Sequence, residues 1–198
     1  MGGIYPGVLA EYVAMPEEWF VPSTETLEPW QACTLPVAGL TVWFALVERA
    51  GVRAGDTVLI PSTGGVALFG LQIAKANGAR VMVCGQPDCE TRATALGADH
   101  FIDAGSDWME TVYRLTSERG ALDGWDIQAP AMPLMIKDIT IHGIGTGSRR
   151  ALERFVRAID QTGIKPVVDS RHPLADLPAA FDRLDRGPFG KIVIDVTS

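Results

Sequence analysis

Cysteine is scarce in the 198 residues: Cys33, Cys84 and Cys89 form an odd, widely spaced set with no Cys-x-x-Cys pair. Such a set supports neither a disulfide framework nor a structural zinc site, and it fits a reducing compartment, so a cytoplasmic location is expected. Histidine is equally sparse, and His100, His142 and His172 show no metal-ligand spacing. Positive charge is short too, with 17 Lys and Arg against 24 Asp and Glu for a net charge of −7. That balance offers nothing to neutralise a phosphate backbone or to hold an anionic membrane, so the expected partner is a small molecule, not nucleic acid or lipid. No uninterrupted apolar run approaches the roughly 20 residues that cross a bilayer. Met1–Pro6 has no basic stretch followed by an apolar one, so no secretory leader is expected. Repeats and low-complexity tracts are missing as well.

What the chain does have is 21 glycines, many of them closing short apolar runs, in a composition that is 47% hydrophobic and 21% charged. The length suits one domain with an appendage. Residues 1–35 read as extended pieces and turns, with a short strand at Val8–Met15 that ends at Pro16. From Val37 to Val47 the chain is apolar nearly all round and reads as a buried helix. Then comes an alternation: strand Thr57–Ile60, a Gly-Gly step, helix Val66–Ala76, strand Ala79–Cys84, helix Asp88–Leu96 and strand Phe101–Asp103. This is βαβαβ, one half of a doubly wound parallel sheet with helices on both faces.

Beyond it, Asp107 and Glu110 offer a capping box for a helix that carries Tyr113 on its apolar face. Trp125–Ile127 reads as a short strand, and the proline-containing stretch Ala129–Pro133 breaks regular structure. Asp138–Ile144 reads as another strand, Ser148 caps a helix that stops at Gly163, Pro178–Leu184 gives a short helix, and Lys191–Val196 closes the sheet. The strand at Asp138–Ile144 would lie at a sheet edge, and an uncovered edge invites pairing with a second copy, so a homodimer is expected.

The chemistry-bearing feature is Ser62-Thr63-Gly64-Gly65-Val66-Ala67, set between a strand and a helix. Glycines at such a turn let the backbone approach a pyrophosphate, and the N–H groups and dipole of the helix start stabilise its charge. Two adjacent glycines also serve plain tight turns, so the motif alone does not decide. No Ser-His-Asp order assembles around Ser62, and the catalytic acid or base is unknown; Tyr12 and Asp126 are open candidates.

In context the sequence resembles the medium-chain dehydrogenase/reductase family, in its zinc-type alcohol dehydrogenase and quinone oxidoreductase branches. The matching pieces run in family order: Leu35 to Trp43, Gly55 to Leu59, Thr63 to Val66, Ala95 to Asp99 and Phe189 to Val193. The resemblance implies an oxidoreductase that binds a nicotinamide dinucleotide. Ser62, Thr63, Gly64, Gly65 and Val66 would form the pyrophosphate turn, Thr41 would lie near the nicotinamide, and Lys191 would sit at the cofactor edge. It also divides the chain into a remnant of the family's catalytic domain at 1–35 and an incomplete dinucleotide-binding domain at 36–198.

Departures from the family pattern refine the expectation. Ser62 and Ala67 stand where the turn usually carries further glycines. At the end of the second strand, where NAD-preferring members place a carboxylate, the chain reads Cys84-Gly85-Gln86, which points to NADP with Arg92 pairing its 2′-phosphate. The barrel that would supply zinc ligands lies before residue 1 in the family pattern, so zinc is not expected. Between about Gln128 and Pro133 too few residues remain for a helical crossover, so one strand-helix unit is missing. Two functions follow: a zinc-independent NADP(H) oxidoreductase acting on a small carbonyl or activated alkene, or a non-redox protein that reuses the cofactor cleft for a hydrophobic small molecule.

Overall fold

The computed structural model describes residues 7–107, 111, 112, 135, 136 and 140–196. Its first sheet is parallel and ordered β1-β2-β3, with β1 at Thr57–Ile60, β2 at Arg80–Gly85 and β3 at His100–Asp103. Thr57 lies opposite Arg80, and Met82 opposite His100. Val81, Met82 and Val83 are all fully buried, because helices and loops cover both faces of this parallel sheet and leave no room for polar alternation. Asp99 fixes the approach to β3: it accepts hydrogen bonds from the Val81 N–H at 2.7 Å and from Lys75 Nζ at 2.9 Å. Its carboxyl is held below the usual aspartate value, first by that Val81 N–H and then by Lys75.

Helix α1, Pro29–Arg49, is longer than the sequence suggests. It begins with a reciprocal cap between Glu28 and Gln31 and widens to π-helical winding at Leu35–Gly39 and Phe44–Arg49. Pro36 lies in the first of these stretches, where a residue without an N–H leaves the regular ladder unfilled and a wider turn accommodates the gap. By length and composition the helix passes for a membrane span. Its packing accounts for the apolar content: Leu35, Ala38 and Val42 share a core with Phe69 and Ile73 of α2 (Gly65–Ala76) and with Phe155 and Ile159 further along the chain.

Helix α3 is Glu90–Ala95, and α4 is Arg149–Thr162. Ser148 Oγ accepts from the Ala151 N–H at 3.3 Å, so this serine is a helix cap, and Gly163 ends the helix with φ +68°. Arg154 of α4 forms a two-pronged ion pair with Glu48 of α1, both bonds at 2.7 Å, and draws the Glu48 carboxyl below its usual value.

The second sheet contains β4 (Val168–Pro173) and β5 (Lys191–Asp195), parallel, with helix α5 (Leu177–Asp185) between them. Both strand groups are parallel, as expected of an α/β fold with a parallel sheet. Among the described residues the sheets meet through one isolated parallel bridge, between Gly64 and Gly190. Phe189 reinforces it by burying its ring in the core of the first sheet, with Leu68, Val81, Val83 and Ala93.

Other expectations are corrected. Val8–Met15 is no strand: Tyr12 is 90% exposed and the segment has no partner strand among the described residues. Residues 140–144 are irregular, so the edge strand that suggested a homodimer is missing there. The Asp107 helix, the Trp125–Ile127 strand, Tyr113, Asp126 and the 129–133 stretch fall wholly or mostly outside the described residues.

Candidate functional site

The turn after β1 carries the site. Ile60 is buried, Pro61 ends the ladder, and Ser62 and Thr63 lead into Gly64, which sits extended with φ −75° and ψ 178° at the start of α2. No side chain caps this helix start, and a Cβ added at Gly64 would meet no atom within 4 Å. The turn therefore exposes backbone N–H groups beside open space, the arrangement that accepts an anionic group.

Gly65 faces the other way. A Cβ there would lie 2.0 Å from Lys191 Cδ, so the lysine stem rests directly on the glycine. Gly85, at the end of β2, plays a similar part: a Cβ would come within 2.8 Å of Thr63 Cγ2. Thr63 in turn points its hydroxyl at Cys89 Sγ, 3.6 Å away.

These residues border a cavity of about 710 Å³. One end is lined by Ser62, Thr63, Gly64, Gly65 and Val66, with Gln86, Asp88 and Cys89 from the loop after β2. The opposite wall comes from the second sheet and α5: Leu177, Phe181 and Leu184, then Arg186 and Gly187, then Lys191, Ile192 and Ile194. The cavity thus joins a polar, glycine-floored end carrying two cations and one carboxylate to an apolar trough. Phe181 and Leu184 in that trough are 58% and 53% exposed.

Of the residues singled out from the sequence, Ser62 to Val66 and Lys191 all line this cavity. Thr41 and Arg92 do not. The Thr41 hydroxyl reaches toward the Gly145 carbonyl at 3.5 Å, and the Arg92 guanidinium lies over the Phe189 ring, 3.9 Å from its centre. The Ala67 methyl is buried in the core of the first sheet, so it fills a packing position below the turn. Asp88 and Arg186 also line the cavity. Asp88 lies just past residues 84–86 at the end of β2, and Arg186 reaches the cavity through a turn between α5 and β5 that carries no motif.

Two side groups near the wall have shifted protonation. Asp169 of β4 is kept ionised by Arg183, whose Nε and guanidinium nitrogen each donate at 2.6 Å; the Phe189 N–H donates at 3.1 Å, and Arg92 adds positive potential. Partial desolvation pushes the Cys33 thiol up, against the opposing charges of Lys191 and Arg171. Among the described residues no group of three His, Cys, Asp or Glu side chains comes together to hold a metal. The uncapped Gly64 turn has open space beside it for an anionic group.

The chain resembles several known proteins over nearly its whole length. It is 47% identical to a Sinorhizobium meliloti 1021 protein assigned to the alcohol dehydrogenases, superposing with a TM-score of 0.92 over 98% of this chain and 67% of that one. The structure of an NAD-dependent alcohol dehydrogenase is 30% identical, with a TM-score of 0.85 over 96% of this chain and 65% of that one. A zinc-type alcohol dehydrogenase-like protein of Schizosaccharomyces pombe is 26% identical over 236 aligned positions, 99% of this chain and 68% of the relative. That alignment is longer than the 198-residue chain, so the relative carries internal segments that this chain lacks. No family model matches.

Proposed function

Because the chain belongs to the medium-chain dehydrogenase/reductase family, we propose that the Gly64–Gly65 cavity binds a nicotinamide dinucleotide and that the protein is an oxidoreductase acting, without zinc, on a small carbonyl or activated alkene. The observation that carries this reading is the open space above Gly64 at an uncapped helix start, faced across the cavity by Lys191. Gly64 lets the pyrophosphate approach the backbone, the first N–H groups of α2 donate to it, and Lys191 and Arg186 offset its charge. Bound there, the nicotinamide would supply or accept a hydride. The protein's part is to orient the substrate carbon and to keep water from it, and the apolar trough of Phe181, Leu184 and Ile192 suits that role.

The choice between NAD(H) and NADP(H) turns on the loop after β2. NADP was expected from the lack of a carboxylate at residues 84–86 and from Arg92. Asp88 on the cavity wall and the stacking of Arg92 on Phe189 instead support a ribose with a free 2′-hydroxyl, that is, NAD(H).

Titration with NADH and with NADPH, followed by nicotinamide fluorescence, tests both parts. Micromolar binding with NADH favoured is the expected result. No binding of either at millimolar concentration would overturn the reading. It would leave the second one, a site for an apolar ligand without dinucleotide, which the exposed Phe181 and Leu184 favour and which an apolar fluorescent probe would detect.

A further inference from the structure

The wall that faces Gly64 is the tripeptide Phe189-Gly190-Lys191, and each residue reaches the first sheet in a different way. Phe189 is 3% exposed and buries its ring beside Leu68 and Ala93. Gly190 bridges Gly64 through the backbone, and Lys191 lies on Gly65. Gly190 has no freedom to shift: its φ is +107°, and a Cβ would lie 2.4 Å from the Val167 carbonyl oxygen.

Two charged groups hold the tripeptide from outside the cavity. Asp169, its side chain 6% exposed, accepts from the Phe189 N–H and is itself fixed by Arg183. Arg92, on α3 of the first sheet, covers the outer face of the Phe189 ring at 3.9 Å. A cation over the face of a buried ring is attracted by the negative charge of that face, and its stem shields the ring from water. Arg92 thus joins the first sheet's unit to the residue just before the Gly190 bridge and β5.

We propose that Arg92 is a positioning residue: stacked on Phe189, it clasps the Phe189–Lys191 wall against the Gly64–Gly65 turn and so sets the cavity's affinity for its ligand, without touching that ligand. The affinity part rests on the dinucleotide reading above; the clasp itself does not. The role differs from that of a 2′-phosphate ligand in one measurable respect. A clasp weakens cofactors with and without the 2′-phosphate alike, whereas a phosphate ligand weakens NADPH alone.

The test compares wild type, Arg92→Gln and Arg92→Lys in two measurements. Hydrogen exchange on the free protein reads the clasp directly. In Arg92→Gln the Phe189 and Lys191 amides exchange about two- to fivefold faster, the change expected from losing a cation–π contact whose cation is exposed to solvent. The Val81 and Val83 amides keep their wild-type rates. Arg92→Lys, which returns a cation to the ring, recovers most of the protection. Titration then shows the Kd for NADH and for NADPH rising in Arg92→Gln by the same factor.

Unchanged exchange at Phe189 and Lys191, or equally faster exchange at Val81 and Val83, overturns the clasp. Loss of NADPH affinity alone makes Arg92 a phosphate ligand and overturns it too. If wild type binds neither dinucleotide, the proposed function fails, while the exchange data still decide for or against the clasp.

Discussion

Asp160 of α4 gathers residues 24–26 against the helix: one carboxylate oxygen accepts from the Thr24 hydroxyl, from the Thr26 hydroxyl at 2.8 Å, and from the N–H groups of Glu25 and Thr26 at 3.1 and 3.2 Å. Residues 20–28, just before α1, form neither helix nor strand, so these bonds fix their path along the helix. They hold the Asp160 carboxyl below its ordinary value, the Thr24 hydroxyl contributing most.

Asp160→Ala is expected to lower stability at pH 7 by about 1 kcal/mol, modest because the site is open to solvent. The sign of the pH effect follows from the lowered pKa. The contribution is complete above the unfolded value of roughly 3.9 and disappears as pH falls through the lower folded value. Urea unfolding at a series of pH values should therefore show wild type and variant converging in acid and parallel near neutrality.

Removing Arg183 strands a nearly buried carboxylate. Arg183→Met should lower stability, because the Asp169 carboxylate, 6% exposed, keeps its charge without its main partner. Adding Asp169→Asn should recover part of the loss, because the charge without a partner is gone. A double-mutant cycle by denaturant unfolding measures this; simple additivity of the two changes would count against it.

The two glycines of the inter-sheet bridge should respond in opposite ways. Gly64→Ala meets open space at an ordinary φ of −75°, so stability should stay within about 0.5 kcal/mol of wild type while dinucleotide affinity falls about tenfold. Gly190→Ala must place a Cβ against the Val167 carbonyl at positive φ and should cost about 2 kcal/mol or more. Thermal melts paired with NADH titrations separate the two outcomes.

At the crossing of α1 and α4, a Cβ on Gly39 would lie 2.5 Å from the Phe155 ring. Gly39→Ala should destabilise by about 1–3 kcal/mol through overpacking, and Phe155→Ala by about 3–5 kcal/mol through the cavity it leaves. Combining the two should cost less than their sum, because the alanine methyl occupies part of that cavity. Denaturation midpoints of the three variants test the coupling.

The βαβαβ unit was legible because glycines bound each apolar run, as Gly55 and Gly78 do on either side of the β1 and α2 segment. Strand β4 was not. Val168-Asp169-Ser170-Arg171-His172-Pro173 has no apolar alternation and ends in proline. It is a strand because of partners far along the chain: β5 beside it, Arg183 on Asp169, and Asp195 on Arg171 at 2.9 Å. Val8–Met15 failed in the reverse way, with strand-forming residues and no neighbouring strand to pair with. At the site, the glycine turn and Lys191 could be read from their residue types and order. Asp88, Arg186 and the position of Arg92 depend on how the two sheets face each other, and no local pattern encodes that.

The bridge between Gly64 and Gly190 also has a consequence in time. The floor of the cavity belongs to a unit whose strands are complete by residue 103, whereas its far wall is written near residue 190. During synthesis the first sheet can fold as soon as it leaves the ribosome, with its glycine turn uncovered and the place of Phe189 in its core unfilled. The pocket closes only when β5 arrives, so ligand binding reports the placement of that strand and not just the folding of the unit that carries the motif.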